Sequence, residues 1–151
     1  MRIEIPHRQP LTLTHVVFDL NGTLTVDGEL IPGVWEGFAA VRQRYQCWLV
    51  SADTLGRAEH WASMLQVPLT VAATGEDKAD FVKTLEGGVA AVGNGCNDVA
   101  MFSCANLGIA VVGPEGASAE LLRHADVVMP SITEVFNFLL NPKRMVSTLR
   151  P

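Results

Sequence analysis

Six short apolar segments, each followed by a segment with helical spacing, constrain the fold more than any other feature of this sequence. Such alternation is typical of repeated βα units on a parallel sheet, and near-continuous apolar strands indicate burial on both faces. The sequence therefore predicts an α/β fold of three α/β/α layers with a mainly parallel sheet. The predicted strands are 13–19, 47–51, 69–73, 89–93, 109–112 and 127–129, and the predicted helices are 34–45, 54–66, 77–85, 98–105, 117–123 and 132–140.

The chain length predicts one domain over residues 1–151, since a chain of this size can bury a sizeable core without disulfides or structural metals. Asp27-Gly28 lies between two short apolar segments and predicts a hairpin over 24–31, directly after the first strand. This hairpin is either a partial lid or a plain structural turn. Residues 1–10 are expected to form an N-terminal extension. Residues 141–151 form a tail that is either frayed or used in assembly.

Composition excludes several functional classes. The net charge is -5 and no basic run or aromatic-basic cluster occurs, so a nucleic-acid partner is not expected. No apolar run reaches the roughly 18 residues that a membrane span requires, and no signal peptide is recognisable at the N-terminus. The three cysteines form no CxxC pair, which favours a reducing compartment. The expected location is the cytoplasm.

Polar residues follow several of the predicted strands, where ligands of open α/β sheets collect. Asp19 ends the first strand and Ser51 ends the second. Lys78 lies at the start of a predicted helix, and Asp98 follows the strand 89–93. Each has a structural alternative: Asp98 as a helix cap, Ser51 as a turn residue, Lys78 as a surface cation. Asp19 is harder to explain structurally, because a carboxylate at the end of an apolar strand requires water, a metal or hydrogen bonds.

Taken in order, these residues resemble the four motifs of the haloacid dehalogenase superfamily. The motifs are residues 19–23, Ser51, Lys78 and residues 93–98, and the resemblance covers roughly residues 13–128. Residues 76–83, 89–98 and 107–110 are most similar to the phosphorylation domain of P-type ATPases and their soluble relatives. The resemblance implies a Rossmann-like fold of the superfamily type.

The resemblance also implies a role for each matching position. Asp19 would be the nucleophile that forms an aspartyl phosphate, and Lys78 would neutralise charge on Asp19 and the phosphate. The resemblance further implies Mg²⁺ as the cofactor. The implied phosphate-binding residues are Asn21, Gly22, Thr23, Ser51, Ala52 and Lys78, and the implied metal ligands are Asp19, the main-chain carbonyl of Asn21, Asn94 and Asp98.

The chain departs from the family pattern at two positions. Phosphatases of the superfamily carry an Asp two residues after the nucleophile as general acid and base, whereas this chain has Asn21. An amide cannot donate and retrieve a proton, and loss of such a group typically slows a reaction about 10²- to 10⁴-fold. Asn94 likewise replaces a usual metal-binding Asp. We therefore expect slow turnover and weaker Mg²⁺ binding.

The intervals between the motifs leave no room for a cap domain, which predicts an open site. The leading hypothesis is a slow, Mg²⁺-dependent phosphohydrolase acting through Asp19 on a phosphorylated small molecule or protein. A homo-oligomer is one expected way to cover the open site. The alternatives are a non-catalytic phosphate-sensing or interaction module and a soluble phosphotransferase similar to P-type ATPases.

Overall fold

The computed structural model describes residues 1–53 and 56–151 of the chain. Strands and helices alternate along most of this length, as the sequence predicts. The strands are β1 Arg2–Ile3, β2 Leu11–Thr12, β3 His15–Asp19, β4 Thr25–Val26, β5 Glu29–Leu30, β6 Gln46–Ser51, β7 Leu69–Val71, β8 Val89–Gly93, β9 Leu107–Val111 and β10 Val127–Met129. The helices are α1 Val34–Val41, α2 Arg57–Leu65, α3 Gly75–Thr84, α4 Val99–Cys104, α5 Ala119–His124, α6 Ile132–Leu140 and α7 Pro142–Leu149, with one 3₁₀ turn at Cys96–Asp98.

Six strands form a central sheet in the order β10-β9-β8-β3-β6-β7, and every neighbouring pair is parallel. The chain leaves β3 towards β6 and β7, then crosses to β8 on the other side of β3. The strand order therefore reverses at β3, where ligands of open α/β sheets bind. Asp19, the last residue of β3, lies at this switch point.

Two apolar cores cover the two faces of the sheet, because successive side chains of a strand point to opposite faces. Val16 and Phe18 belong to one core, together with buried residues of α1, α2, α6 and α7. Val17 belongs to the other core, together with buried residues of α3, α4 and α5. The predicted α/β/α layering is confirmed.

Several boundaries differ from the predicted ones for local reasons. Helix α1 ends at Val41 rather than 45, because the chain turns there to enter β6. Helix α3 begins at Gly75 because the Thr74 side chain caps it. The predicted start of the second helix at Thr54 lies outside the described residues, and α2 begins at Arg57.

Both ends of the chain are more ordered than the sequence analysis expected. The predicted extension 1–10 contributes β1, which pairs antiparallel with β2. The expectation of a frayed tail is wrong for residues 142–149, which form α7. Asn141 caps this helix, Pro142 occupies its first turn, and Met145 and Leu149 are buried.

The hairpin predicted over 24–31 is present as β4 and β5, paired antiparallel. Asp27 and Gly28 both adopt positive φ, at 52° and 82°. This is the geometry of a two-residue turn that matches the twist of the flanking strands. None of the helices in the described residues is both long and apolar enough to cross a membrane.

The junction between β2 and β8 generates a testable prediction about stability. A Cβ atom at Gly88 would lie 1.6 Å from the carbonyl oxygen of Thr12, and backbone cannot move aside as a flexible side chain can. We expect Gly88→Ala to lower the free energy of unfolding by about 3 kcal/mol in urea denaturation.

Gly113→Ala is the matched control, because a Cβ at that position would make only ordinary contacts of 3.7 and 3.8 Å. Equal stability of the two variants would contradict this account of the β2–β8 junction.

Candidate functional site

A buried lysine between two carboxylates forms the centre of the candidate site. The Nζ atom of Lys78 donates to Oδ1 of Asp19 at 2.7 Å and to Oδ1 of Asp98 at 2.8 Å. Lys78 and Asp98 are fully buried, and Asp19 is 6% exposed. The structure thus brings together three residues that the sequence analysis selected from separate segments.

The start of α3 fixes the position of Lys78. Thr74 and Asp77 form a reciprocal capping box: the Asp77 amide donates to the Thr74 hydroxyl, and the Thr74 amide donates to the Asp77 carboxylate. Gly75 lets this helix end approach the loop after β8, because a Cβ there would lie 2.8 Å from the carbonyl oxygen of Asn97. Lys78 is therefore carried into the interior by a well-defined helix start.

Asp98 is held by the loop that follows β8. Its Oδ2 atom accepts hydrogen bonds from the amides of Asn94 and Gly95, each at 3.1 Å. Gly93 makes room for the carboxylate, since a Cβ at that position would lie 2.4 Å from the same oxygen. Both oxygens of Asp98 thus have protein donors in this structure. Its suggested role as a metal ligand stays a prediction.

The electrostatics of the three groups follow from their burial. Burial and the neighbouring Asp98 carboxylate raise the pKa of Asp19 to about 7, although Lys78 opposes this shift. Burial alone would lower the pKa of Lys78, but the two carboxylates outweigh it and raise that pKa, so the amine stays charged. With both carboxylates ionised, the cluster carries one excess negative charge.

Thr23 and Asn94 form a second layer of contacts around Asp19. The Thr23 hydroxyl lies 3.3 Å from Oδ2 of Asp19 and 3.2 Å from Oδ1 of Asn94. The side-chain amide of Asn94 donates to the carbonyl of Gly116 at 3.2 Å. Asn94 therefore connects the loop after β3 to the loop after β9, and this second contact requires an N–H donor.

The remaining predicted phosphate ligands lie at the same edge of the sheet. Ser51 ends β6, beside β3, and its buried hydroxyl accepts a hydrogen bond from the Asp53 amide at 3.1 Å. Ala52 follows directly. The amide of Gly22 donates to the Thr25 carbonyl at 3.0 Å, so it is internally bonded rather than directed to an open cradle.

Asn21 is exposed, and its side chain has one hydrogen bond in the described residues, which is long. The Thr25 hydroxyl lies 3.5 Å from its Oδ1 atom. The suggested roles of Asn21 in catalysis and in phosphate binding stay predictions.

The hairpin tip has contacts that the sequence analysis did not identify. The carbonyl of Gly28 accepts from Nη2 of Arg57 at 2.6 Å and from Nε1 of Trp61 at 3.0 Å. On the opposite side, the Asp27 amide donates to the Glu115 carboxylate at 3.2 Å. No local sequence pattern links these residues to the hairpin. The hairpin is thus held between α2 and the loop after β9.

The donor set fits a divalent metal only in part. No group of three or more His, Cys, Asp or Glu side chains suited to a metal occurs within residues 1–53 and 56–151. The available donors are Oδ2 of Asp19, the carbonyl of Asn21 and Oδ1 of Asn94. These oxygens suit Mg²⁺, which often takes one or two carboxylates and completes its shell with water and phosphate.

Comparison with known proteins assigns the family. A family model for haloacid dehalogenase-like hydrolases matches residues 69–139. The uncharacterised protein MJ0073 of Methanocaldococcus jannaschii is 39% identical over 62 residues, which cover 41% of this chain and 67% of that protein. The chain belongs to the haloacid dehalogenase superfamily.

Two further similarities concern the fold and part of the sequence. The cobalt-bound deoxy-D-mannose-octulosonate 8-phosphate phosphatase of Haemophilus influenzae has the same fold: its TM-score is 0.73 at 14% identity, covering 92% of this chain and 94% of that one. The phospholipid-transporting ATPase NEO1 of Saccharomyces cerevisiae is 32% identical over 90 residues, which are 52% of this chain but 8% of the ATPase.

The buried cluster generates a prediction about Lys78. In Lys78→Met, two buried carboxylates lose their cation, and removing one partner of a buried ion pair typically costs about 3–5 kcal/mol. We expect urea denaturation to show this loss at pH 8. The loss should shrink towards pH 5, because the raised pKa of Asp19 lets the folded protein bind a proton that relieves the repulsion.

Lys83→Met is the control, because Lys83 is exposed and pairs with Asp80 at 3.8 Å. A Lys78→Met variant as stable as this control at pH 8 would show that the Lys78 charge is not required.

Proposed function

We propose that this protein is a slow, Mg²⁺-dependent phosphohydrolase that acts through an aspartyl phosphate at Asp19. The observation that carries the proposal is the Lys78 ammonium held between Asp19 and Asp98. This arrangement orients one oxygen of Asp19 and supplies a fixed positive charge beside it. A phosphoryl group transferred to Asp19 would meet that charge without reorganisation of the site.

The proposed reaction has two steps. An oxygen of Asp19 attacks phosphorus and the bond to the leaving oxygen breaks, while Thr23, Ser51 and Lys78 bind phosphoryl oxygens. The leaving oxygen takes its proton from water, because Asn21 has none to give. Water then attacks the aspartyl phosphate, which releases inorganic phosphate and restores the carboxylate. Neither step has a general acid or base, so both are slow.

Mg²⁺ would be held by Asp19, the main-chain carbonyl of Asn21 and Asn94, with Asp98 close by, and would supply charge neutralisation for the transferring phosphoryl group. We propose a phosphorylated small molecule or protein as the substrate. We also propose a cytoplasmic location and a second copy of the chain as a possible cover for the site. The amides of Gly22 and Ala52 are further candidates for phosphate contact, which for Gly22 requires release of its bond to Thr25.

One observation favours a second candidate function. Oδ1 of Asn94 lies within hydrogen-bond distance of the Thr23 hydroxyl, and its amide is bound to Gly116, so the residue already has structural partners. Together with Asn21, this favours a module that binds phosphate without turnover. The similarity to NEO1 supports a third possibility, a soluble phosphotransferase that uses the same Asp19.

Replacement of Asn21 tests the proposal that its amide, which cannot act as a general acid or base, limits the rate. We expect Asn21→Asp to raise kcat for para-nitrophenyl phosphate in Mg²⁺ by about 10²- to 10⁴-fold, which corresponds to roughly 3–5 kcal/mol of barrier. Phosphate release from the native protein, the variant and the blank Asp19→Asn would be compared in one assay.

The hydrolase proposal requires the native protein to release phosphate more slowly than Asn21→Asp but faster than the blank. If only Asn21→Asp is active, the phosphate-binding module is favoured. If neither protein turns over any phosphoester of a broad panel and no phosphoenzyme can be trapped, the catalytic proposal is wrong.

Replacement of Asn94 separates its structural contact from metal binding. Asn94→Asp loses the donor to Gly116 and places a carboxylate beside that carbonyl, which should cost about 1–3 kcal/mol of stability in EDTA. The added charge should tighten Mg²⁺ binding on the order of 10- to 100-fold. Thermal unfolding across an Mg²⁺ titration measures both effects.

Asn97→Asp is the control, because Asn97 is an exposed residue of the same loop. An identical response of the two variants to EDTA and Mg²⁺ would contradict a specific role for Asn94.

A further inference from the structure

Formal charge is distributed unevenly along this acidic chain. Residues 1–12 and 141–151 together carry five Lys or Arg residues and one acidic residue, Glu4. Residues 13–140 carry six Lys or Arg residues and fifteen acidic residues. The two ends are therefore strongly basic, whereas the body of the protein is strongly acidic.

The fold brings these two basic ends together. Strand β1 and helix α7 line a groove of about 420 Å³, which we call the basal groove. Strands β1 and β2 precede β3 directly, so the groove lies towards the amino end of β3, away from Asp19 at its carboxyl end. Three cations and one carboxylate line the groove, Arg2, Lys143, Arg150 and Glu4, together with the apolar residues Ile3, Pro142 and Val146.

Helix α7 and the residue after it present one face to this groove. Lys143, Val146, Ser147 and Arg150 are spaced i, i+3, i+4 and i+7, which places them on one side of a helix. Met145 and Leu149, which hold α7 against the core, are buried on another side. Of the groove face only Val146 also packs against the core, so the polar side chains of this face are not needed for packing of the helix.

The cations of the basal groove contribute little to the stability of the folded protein. Lys143 and Arg150 are exposed, and neither side chain forms an ion pair or a hydrogen bond within the described part of the chain. Arg2 pairs with the neighbouring Glu4 at 2.8 Å in an exposed contact, which contributes little to stability. Glu4 also lines the groove, so its three cations and one carboxylate give a net charge of +2, which favours an anionic ligand.

We propose that the basal groove is a docking site for a short acidic peptide segment of a partner protein. Carboxylates of the segment pair with Arg2, Lys143 and Arg150. An aliphatic side chain of the segment packs on the apolar floor formed by Pro142 and Val146, with Ile3 buried beside them. Charge complementarity then selects the partner, and the apolar floor distinguishes a peptide from a small inorganic anion.

The surrounding charge explains why the segment must be short. A long polyanion such as a nucleic acid would run over the acidic body and be repelled there, and the groove contains no aromatic side chain for base stacking. The exposed large apolar residues of the described chain are Trp35, Met64, Val71, Val112 and Val128, none of which lines the groove to anchor it in a membrane.

Fluorescence anisotropy with the full chain tests this proposal. The probe is a fluorescein-labelled peptide rich in glutamate and containing leucine. We expect saturable binding that weakens with added salt, and no binding of the same peptide with every Glu replaced by Gln. The double variant Lys143→Glu/Arg150→Glu should bind the probe on the order of tenfold more weakly or worse.

The control is Lys83→Glu/Arg123→Glu, which makes the same charge change on exposed positions of α3 and α5. The double variant Lys143→Ala/Arg150→Ala should also weaken binding, and it serves if the charge reversal impairs folding. Absence of binding to the native chain, or an equal loss in the control, would overturn the proposal. Tighter groove-dependent binding of oligo-dT or phosphatidylserine vesicles would also overturn it.

Discussion

The contact of Lys78 with Asp19 and Asp98 is the interaction on which the candidate site depends. Burying three charged groups is costly, and their mutual attraction offsets that cost only with good geometry. Two hydrogen bonds of 2.7 and 2.8 Å provide this geometry. Local features converge on it: the capping box that starts α3, the close approach at Gly75, and the space at Gly93. Any shift of the α3 start would separate the amine from both carboxylates.

The charge of this cluster also explains why the residue at position 94 affects stability as well as metal binding. In a site with one excess negative charge, a further carboxylate without a metal would add repulsion. The amide of Asn94 avoids that repulsion and gains the bond to Gly116. That bond connects the loop after β8 to the loop after β9, and Glu115 of the latter also contacts the hairpin. The amide of Asn94 thus helps to order three segments around Asp19. It lacks the negative charge with which an Asp at this position would bind a metal.

Much of the fold could be predicted because each buried strand is a continuous apolar run between breakers. The ends of the chain were harder to predict for a physical reason. Strand β1 has two residues and exists through its pairing with β2, a partner that periodicity does not reveal. Asn141 and Pro142 are typical of a helix start, so the sequence did indicate α7. A helix of eight residues is stable only when it packs against a core, however, and the sequence does not show that contact.

The site shows the same distinction between local pattern and tertiary contact. Asp19, Lys78 and Asp98 could be selected from motif order, but their shared hydrogen bonds depend on how α3 packs against the loop after β8. The hairpin contacts of Arg57 and Trp61 belong to no motif, and the basal groove joins residues at opposite ends of the chain. The hairpin is held at its tip from both sides, and its turn between β4 and β5 has only two residues. If the protein acts on a phosphorylated ligand as proposed, selectivity would depend on the groups that contact the phosphoryl oxygens and on a bound partner, and the proposed basal groove would supply such a partner.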